Sequence, residues 1–299
     1  MQTFAPLKQI DAGVLSVGYA EAGPPDGPPV ILLHGWPYDI HCFADAAPLL
    51  ASAGYRVIVP YLRGHGPTHF RSSTTDRNGA QAVFAVDTIA LMDALKIDRA
   101  ILGGFDWGGR AADIVAALWP ERCKALVSVS GYQIINLEAT QQPLAPEAEL
   151  AWWYLFYFST ERGRAGYAKN RHDFNKLIWK RASPKWQFDD ATYERTTPAF
   201  ENPDYVEIVI HNYRWRLGLA QGDPQFDDPA AKLQQAPVVP VPTITIGSDF
   251  DGAAADGVVY CAKFTGKYAH RTLSGIGHNV PQEDPQSFAQ AVIDADGLV

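Results

Sequence analysis

Residues 100–112 constrain the fold of this chain more than any other stretch. A short apolar run, residues 100–102, leads into Gly104-Phe105-Asp106-Trp107-Gly108, and a helical pattern follows over residues 111–118. The spacing is that of a nucleophile elbow, a sharp strand-to-helix turn, with aspartate where serine usually stands. The glycines let the backbone pass close, and the central side chain projects above the sheet. We therefore predict that Asp106 is a nucleophile rather than a plain helix N-terminal charge.

Short apolar runs and helical patterns alternate on both sides of this elbow. Residues 30–33 form a continuous apolar run, which is typical of a strand buried on both faces, and residues 125–129 predict another short buried strand. Residues 56–59 and 243–246 are predicted as further strands. Helical patterns separate them, and a last helix is predicted over residues 285–293. This alternation predicts an α/β fold with a mostly parallel central sheet flanked by helices. The weak alternation of residues 7–21 predicts an opening hairpin.

Residues 132–225 interrupt the alternation. They show no buried-strand pattern and are rich in aromatic residues at helical spacing. In open α/β sheets ligands bind beyond the carboxyl ends of the strands, so we interpret this segment as an inserted helical cap above those ends. The predicted core comprises residues 1–131 and 226–299.

The charge of the chain limits its partners and its location. A net charge of −8 over 299 residues argues against nucleic acid and anionic membrane surfaces as partners. No stretch has the length and apolarity of a membrane span, and residues 1–23 lack the pattern of a signal peptide. The three widely spaced cysteines favour free thiols, and we expect a cytoplasmic protein.

Two loops after later strands supply further catalytic candidates. The loop of residues 247–252 carries Asp249 and Asp251, and the loop of residues 275–281 carries His278. Nucleophile, acid and histidine then occur in the chain order of an α/β-hydrolase triad. We predict His278 as general base and Asp251 as its orienting acid, with Asp249 as the alternative.

The segment His34-Gly35-Trp36-Pro37 follows the first buried strand. In this architecture such a loop supplies one donor of an oxyanion hole, here the backbone N–H of Trp36, and the elbow supplies the other, that of Trp107. A plain tight turn is the alternative interpretation. Pro37 would fix the loop, and a cis bond before it is one way to do so.

An aspartate nucleophile changes the chemistry that an elbow can support. Its carboxylate, with a pKa of about 4, is already an anion at neutral pH. It suits attack on a saturated carbon that carries a leaving group, which gives an alkyl-enzyme ester. His278 would then activate the water that hydrolyses this ester. An epoxide and a carbon–halogen bond both fit this scheme.

The elbow and the His34-Gly35-Trp36-Pro37 loop together resemble those of the epoxide hydrolases and haloalkane dehalogenases of the α/β-hydrolase fold. Residues 154–158 and His211-Asn212-Tyr213-Arg214 resemble the two cap segments that carry the ring-opening tyrosines of epoxide hydrolases. The resemblance implies that Tyr154 and Tyr213 donate protons to the epoxide oxygen, with Tyr157 as the alternative to Tyr154. It also implies a small-molecule epoxide as substrate, a vicinal diol as product, and no metal or organic cofactor.

Some residues depart from the epoxide hydrolase pattern. Phe105 stands where these enzymes often have histidine. The Tyr213-Arg214 pair and the glycines before Arg110 resemble fluoroacetate dehalogenases, although those enzymes have arginine where this chain has Trp107. A haloalkane or haloacid dehalogenase is therefore the first alternative, and a non-catalytic ligand-binding homologue is the second.

The substrate and the assembly are less constrained by the sequence. Four aromatic side chains are expected to contact substrate, and they imply an apolar alkyl or aryl group: Trp107, Trp153, Phe156 and Tyr157. The sequence leaves monomer and homodimer open.

Overall fold

A computed structural model describes residue 4 and residues 6–299 of the chain. Within these residues nine strands form one sheet, in the order β1-β2-β4-β3-β6-β7-β8-β9, with β5 paired to β2. The strands are β1 (Lys8–Ala12), β2 (Leu15–Ala22), β3 (Pro29–Leu33), β4 (Arg56–Pro60), β5 (His69–Phe70), β6 (Ala100–Gly104), β7 (Cys123–Val129), β8 (Thr243–Ser248) and β9 (Tyr268–Leu273).

The strands from β4 through β9 along the sheet are parallel, and β1, β2 and β5 form an antiparallel edge. β1 and β2 are the predicted opening hairpin, with Lys8 opposite Tyr19. β3, β6 and β7 are largely buried because they occupy the centre of the sheet, where helices cover both faces. The predicted fold class, a mostly parallel sheet flanked by helices, is confirmed.

The helices pack on the sheet and above it. α1 and α12 contact each other, as do α2 and α3, and α3 and α12 both pack against β7. The helices are α1 (Ala46–Ser52), α2 (Gln81–Ala94), α3 (Asp106–Leu118), α4 (Leu137–Thr140), α5 (Pro146–Ala151), α6 (Tyr154–Ser159), α7 (Glu161–Ala182), α8 (Asp190–Glu194), α9 (Tyr205–Arg216), α10 (Asp227–Gln234), α11 (Val280–Glu283) and α12 (Pro285–Gly297).

Helices α4 to α9 all lie between β7 and β8, in the segment interpreted as a cap. α6, α7 and α9 contact one another. Buried aromatic residues of this segment, among them Tyr154 and Phe158, belong to the same apolar core as the sheet. The domain boundaries at residues 131/132 and 225/226 stay a prediction, since the core is continuous across them.

None of the helices among the described residues has the length and apolarity needed to cross a membrane. Cys42 and Cys123 are buried and Cys261 is exposed, and all three are free thiols.

The elbow depends on close backbone contact at Gly108, in the first turn of α3. A Cβ atom placed on Gly108 would lie 2.0 Å from the carbonyl oxygen of Leu33 in β3. Helix and strand can approach this closely only if no side chain stands between them. This contact brings the start of α3 against the end of the sheet, where Asp106 lies.

We predict that Gly108→Ala destabilises the protein, although alanine is the better helix former. Relief of the clash with the Leu33 backbone requires α3 to shift, at a cost of about 1–3 kcal/mol or more. Helix propensity alone would give a gain of up to about 1 kcal/mol. The free energy of unfolding, measured by denaturant titration, shows whether the clash or the helix propensity has the larger effect.

Gly297→Ala is the matched control, because Gly297 is also helical and has no atom within 4 Å of its added Cβ. It is expected to be neutral or mildly stabilising. A Gly108→Ala variant as stable as Gly297→Ala would contradict the close-packing explanation of the elbow.

Candidate active site

Asp106 occupies the elbow in a strained backbone conformation. β6 ends at Gly104, α3 begins at Asp106, and Asp106 has a φ of 53°. Residues other than glycine rarely adopt this left-handed region, and such strain is common at functional sites. The conformation is that expected of the central residue of a nucleophile elbow.

The His34-Gly35-Trp36-Pro37 loop lies directly against Asp106. The bond between Trp36 and Pro37 is cis. A Cβ atom on Gly35 would lie 2.3 Å from the Cβ of Asp106, so only glycine leaves room for the carboxylate. The backbone N–H of Trp36 donates to Asp106 Oδ1 at 2.8 Å. The loop therefore brings the first predicted oxyanion donor onto the nucleophile. The corresponding role of the Trp107 N–H stays a prediction.

His278 faces the other oxygen of the same carboxylate. Its Nε2 lies 3.3 Å from Asp106 Oδ2. Burial would raise the pKa of Asp106, but the hydrogen bond and charge of His278, the charge of Arg110 and the Trp36 N–H together lower it. Asp106 is thus an anion at neutral pH, as nucleophilic attack requires.

The loop that carries His278 is held in place by Glu283 and Ser183. The carboxylate of Glu283 accepts hydrogen bonds from the N–H groups of Gly277 and Asn279 and from the Ser183 hydroxyl. Ser183 Oγ in turn accepts the N–H of His278 at 3.0 Å. Ser183 follows α7, so a residue of the predicted cap binds the backbone of His278, the predicted general base.

The structure brings neither predicted orienting acid to His278. Asp251 accepts the N–H of Ser248 at 2.8 Å in a capping box that starts a short 3-10 helix. Asp249 pairs with Lys185 at 2.6 Å and accepts the N–H of Gly275. The Nδ1 atom of His278 is buried without a hydrogen-bond partner in the described residues. Asp251 and Asp249 are thus both engaged elsewhere, in local loop contacts.

Aromatic rings surround His278 where a carboxylate was expected. The ring of Phe250 lies 4.1 Å from that of His278, centroid to centroid. Phe105 packs edge-on at 5.7 Å, and Tyr38 lies 6.1 Å away. Phe105 is the residue that stands where the resemblance predicts histidine, and its ring packs against that of His278, the predicted general base.

The two predicted ring-opening tyrosines pack against each other and on Trp36, and Tyr154, but not Tyr213, lines the cavity that contains Asp106. Tyr154 and Tyr213 pack edge to face at 5.3 Å, and both rings contact the ring of Trp36, at 5.5 and 5.1 Å. Both side chains are buried. Burial raises the pKa of Tyr154, and burial followed by the charges of Tyr154 and Asp106 raises that of Tyr213. Both hydroxyls therefore keep their protons at neutral pH.

A cavity of about 170 Å³ opens onto Asp106 and His278, and Tyr154 lines it. Of the predicted substrate contacts, Trp107 is buried beside Trp36 and Tyr213. Trp153 and Tyr157 do not line this cavity. They pack against each other and Phe174 instead, which is a correction to the sequence-based expectation.

Phe156 faces a second cavity, of about 670 Å³. Sequence reasoning missed Trp152, which lines both cavities, together with Ile178 and Phe250, which line the first. Their helical or loop positions carry no signal that distinguishes cavity lining from core packing.

The two indole N–H groups nearest Asp106 differ in their partners. Trp36 Nε1 donates to the Tyr167 hydroxyl at 2.8 Å, whereas Trp107 Nε1 is buried and has no partner among the described residues. The Tyr167 hydroxyl donates to Asn175, whose side-chain amide donates to the Tyr205 hydroxyl. Among the same residues, no three or more His, Cys, Asp and Glu side chains are grouped as metal ligands.

Comparison with known proteins supports this assignment of the fold. A protein from Klebsiella pneumoniae, provisionally assigned as an epoxide hydrolase, has a crystal structure with 57% sequence identity and a TM-score of 0.96, and the match covers 98% of each chain. A second such protein, from Pseudomonas aeruginosa, is 20% identical with a TM-score of 0.82 over 98% of this chain and 97% of that one, and it shows the fold alone.

Among curated relatives, Epoxide hydrolase B of Mycobacterium tuberculosis is 34% identical over 156 residues. The match covers 47% of this chain and 43% of that protein, so the chain spans less than half the length of this relative. Residues 28–285 match the family described as the alpha/beta hydrolase fold. The chain is therefore a member of the α/β-hydrolase fold family.

Proposed function

We propose that the protein is an epoxide hydrolase that converts an apolar epoxide to a vicinal diol. The observation that carries this proposal is the pair of buried, protonated tyrosines, Tyr154 and Tyr213, packed on Trp36 beside the anionic Asp106. The relatives described above bear epoxide hydrolase names. An enzyme that opens an epoxide needs this combination of a nucleophile and proton donors on the leaving oxygen.

In the first step, a carboxylate oxygen of Asp106 attacks one ring carbon. The carbon–oxygen bond of the epoxide breaks, and a tyrosine hydroxyl donates its proton to the leaving oxygen. The product is a hydroxyalkyl ester of Asp106. Tyr154 lines the cavity with Asp106, and Tyr213 packs on it, so we assign both to the leaving oxygen.

In the second step, His278 removes a proton from water, which attacks the carbonyl carbon of the Asp106 ester. The Trp36 N–H, already on Asp106 Oδ1, stabilises the oxyanion that develops. Collapse of this intermediate breaks the ester bond and releases the diol. His278 gives its proton to the departing alkoxide, and the proton of the regenerated Asp106 carboxylic acid returns to the tyrosinate, which closes the cycle. In this scheme aromatic packing and the Glu283-held loop orient His278 without a carboxylate.

Dehalogenation on the same site is the second candidate. The unpartnered Nε1 of Trp107 favours it, because halide ions are held by N–H donors. The Nε1 of Trp36 would be the natural second donor, but it already donates to Tyr167. A halide would thus receive one indole N–H, whereas an epoxide oxygen can receive hydrogen bonds from two tyrosine hydroxyls, one of which transfers its proton, and we prefer the epoxide.

We expect the purified protein to hydrolyse styrene oxide to its diol and to release no bromide from a primary bromoalkane under the same conditions. Tyrosine hydroxyls serve an alkoxide leaving group better than a halide. Diol formation is measured by chromatography and bromide release by ion-selective electrode. Bromide release without diol formation would replace this proposal with dehalogenation.

His278→Gln should accumulate the Asp106 ester, because removal of the general base slows hydrolysis by about 10²–10⁴-fold. Mass spectrometry of the intact protein after mixing with styrene oxide would show the added mass of the substrate.

Asp251→Asn is the matched variant for His278→Gln. If Asp251 oriented His278 during turnover, its loss would be expected to slow the enzyme by about 10⁴-fold, as in other His–Asp pairs. Because Asp251 caps a loop, we expect activity within about tenfold of wild type, with a loss of stability of about 1 kcal/mol. Accumulation of the ester in Asp251→Asn would instead restore Asp251 as the orienting acid.

Tyr154→Phe and Tyr213→Phe should each lower the rate of ester formation, and the double variant should abolish it, because no proton donor would remain for the leaving oxygen. Tyr157→Phe is the control, since Tyr157 packs on Phe174 outside the cavity. Stopped-flow measurement of tryptophan fluorescence follows ester formation directly. A double variant that forms the ester at the wild-type rate would exclude these tyrosines.

A further inference from the structure

A third cavity, of about 210 Å³, is lined by the start of α2, the end of α9 and helix α10. Most of its wall is apolar and includes Leu137 and Phe226. Trp215 and Ala80, which also line it, belong to a small apolar core that is separate from the main one. Among the described residues, none lines both this cavity and the one that contains Asp106. The third cavity is therefore a site apart from the proposed chemistry.

Asn78, another residue of the cavity wall, has a hydrogen-bond donor that the protein does not use. Its side chain is only 3% exposed, and its Nδ2 has no hydrogen-bond partner among residues 4 and 6–299. The rest of the residue is held in place. Its Oδ1 accepts the N–H of Ala80 at 2.8 Å, and its carbonyl accepts a hydrogen bond from Arg63 at 2.7 Å. A buried donor without a partner is costly, so an acceptor atom in the cavity would be stabilised here.

The start of α2 adds further donors to the same wall. Gln81 and Ala82, the first two residues of this helix, line the cavity. No side chain of the described residues caps the helix, and the first N–H groups of a helix have no partner within it. The start of α2 and the Asn78 amide thus both favour an acceptor oxygen.

Two acidic residues in the wall limit the charge of a ligand. Asp223 and Asp227, just before α10 and at its first position, line the cavity. An anion would be repelled by their carboxylates, although the positive end of α2 attracts it. A cation would face that positive end and the unused amide donor. A neutral molecule avoids both penalties.

We propose that this cavity is a binding site for a small neutral molecule with an apolar body and one acceptor oxygen, such as an aryl ketone. The oxygen accepts hydrogen bonds from the Asn78 amide and from the first N–H groups of α2, and the apolar body packs on Trp215. An apolar cavity of about 150 Å³ holds benzene, so this cavity of about 210 Å³ has room for one ring with a short substituent. The inference goes beyond the proposed function and does not depend on it.

The experiment compares four probes of similar shape: acetophenone, a neutral ketone; ethylbenzene, which lacks the oxygen; benzoate, an anion; and benzylamine, a cation. Binding is followed by the chemical shifts of the Gln81 and Ala82 N–H groups and of the Asn78 side-chain amide in proton–nitrogen correlation spectra. We expect acetophenone to shift these resonances saturably and to bind about threefold to tenfold more tightly than ethylbenzene, the range of one neutral hydrogen bond. Benzoate and benzylamine should bind more weakly than acetophenone.

Asn78→Asp removes the amide donor but keeps the oxygen that accepts the Ala80 N–H. This variant should lose the preference for acetophenone over ethylbenzene. Asn170→Asp is the matched control, because it makes the same change of charge at an exposed position of α7 that does not line the cavity. It should bind acetophenone as the wild type does. Ala230→Leu, in α10, should fill the cavity and abolish the shifts caused by acetophenone.

Equal affinity for acetophenone and ethylbenzene in the wild type, or tighter binding of benzoate or benzylamine, would overturn the inference. Shifts that persist unchanged in Ala230→Leu would do the same, because the probe would then bind elsewhere. Spectra that none of the four probes alters would show that the cavity holds water only, and would also overturn it. None of these outcomes bears on epoxide hydrolysis, which styrene oxide tests separately.

Discussion

The close approach of three backbone segments at the elbow underlies the rest of the site. Gly108 lies against the Leu33 carbonyl, and Gly35 lies against Asp106 itself. These contacts hold Asp106 at a φ of 53° and place the Trp36 N–H on its carboxylate. Backbone packing therefore holds the strained conformation that places Asp106, the predicted nucleophile, at the cavity.

Much of this arrangement could be predicted from sequence because it depends on short patterns. Several buried strands are continuous apolar runs. The elbow and the loop around Trp36 are local motifs in which glycine is required because the backbone approaches other atoms closely. His278 was identified by its order in the chain. In each case the chemistry of a few neighbouring residues fixes the conformation, so the sequence is sufficient.

The orienting acid was harder to predict from the sequence. The reason lies in the turn that contains Asp251. Ser248 and Asp251 have the Ser-x-x-Asp spacing of a capping box, and the structure uses Asp251 in that way. The same pattern in the sequence could have signalled that this carboxylate was engaged. The cavity-lining role of Trp152 had no such signal, because it depends on how α5 and α6 meet the sheet across long distances in the chain. For the same reason, the sequence did not show that Trp153 and Tyr157 pack outside the cavity.

A hydrogen bond between Trp36 and the cap residue Tyr167 bears both on the leaving group and on the position of the two tyrosines that are the predicted proton donors. Trp36 Nε1 donates to Tyr167, which belongs to a buried chain of hydrogen bonds with Asn175 and Tyr205. Redirecting that N–H to a halide would remove one hydrogen bond that the Tyr167 hydroxyl accepts, at a cost of about 0.5–1.5 kcal/mol. The same bond fixes the indole plane against which Tyr154 and Tyr213 pack. Under the proposed function, one buried network therefore occupies a possible halide donor and positions the two predicted proton donors, and both effects favour an oxygen leaving group.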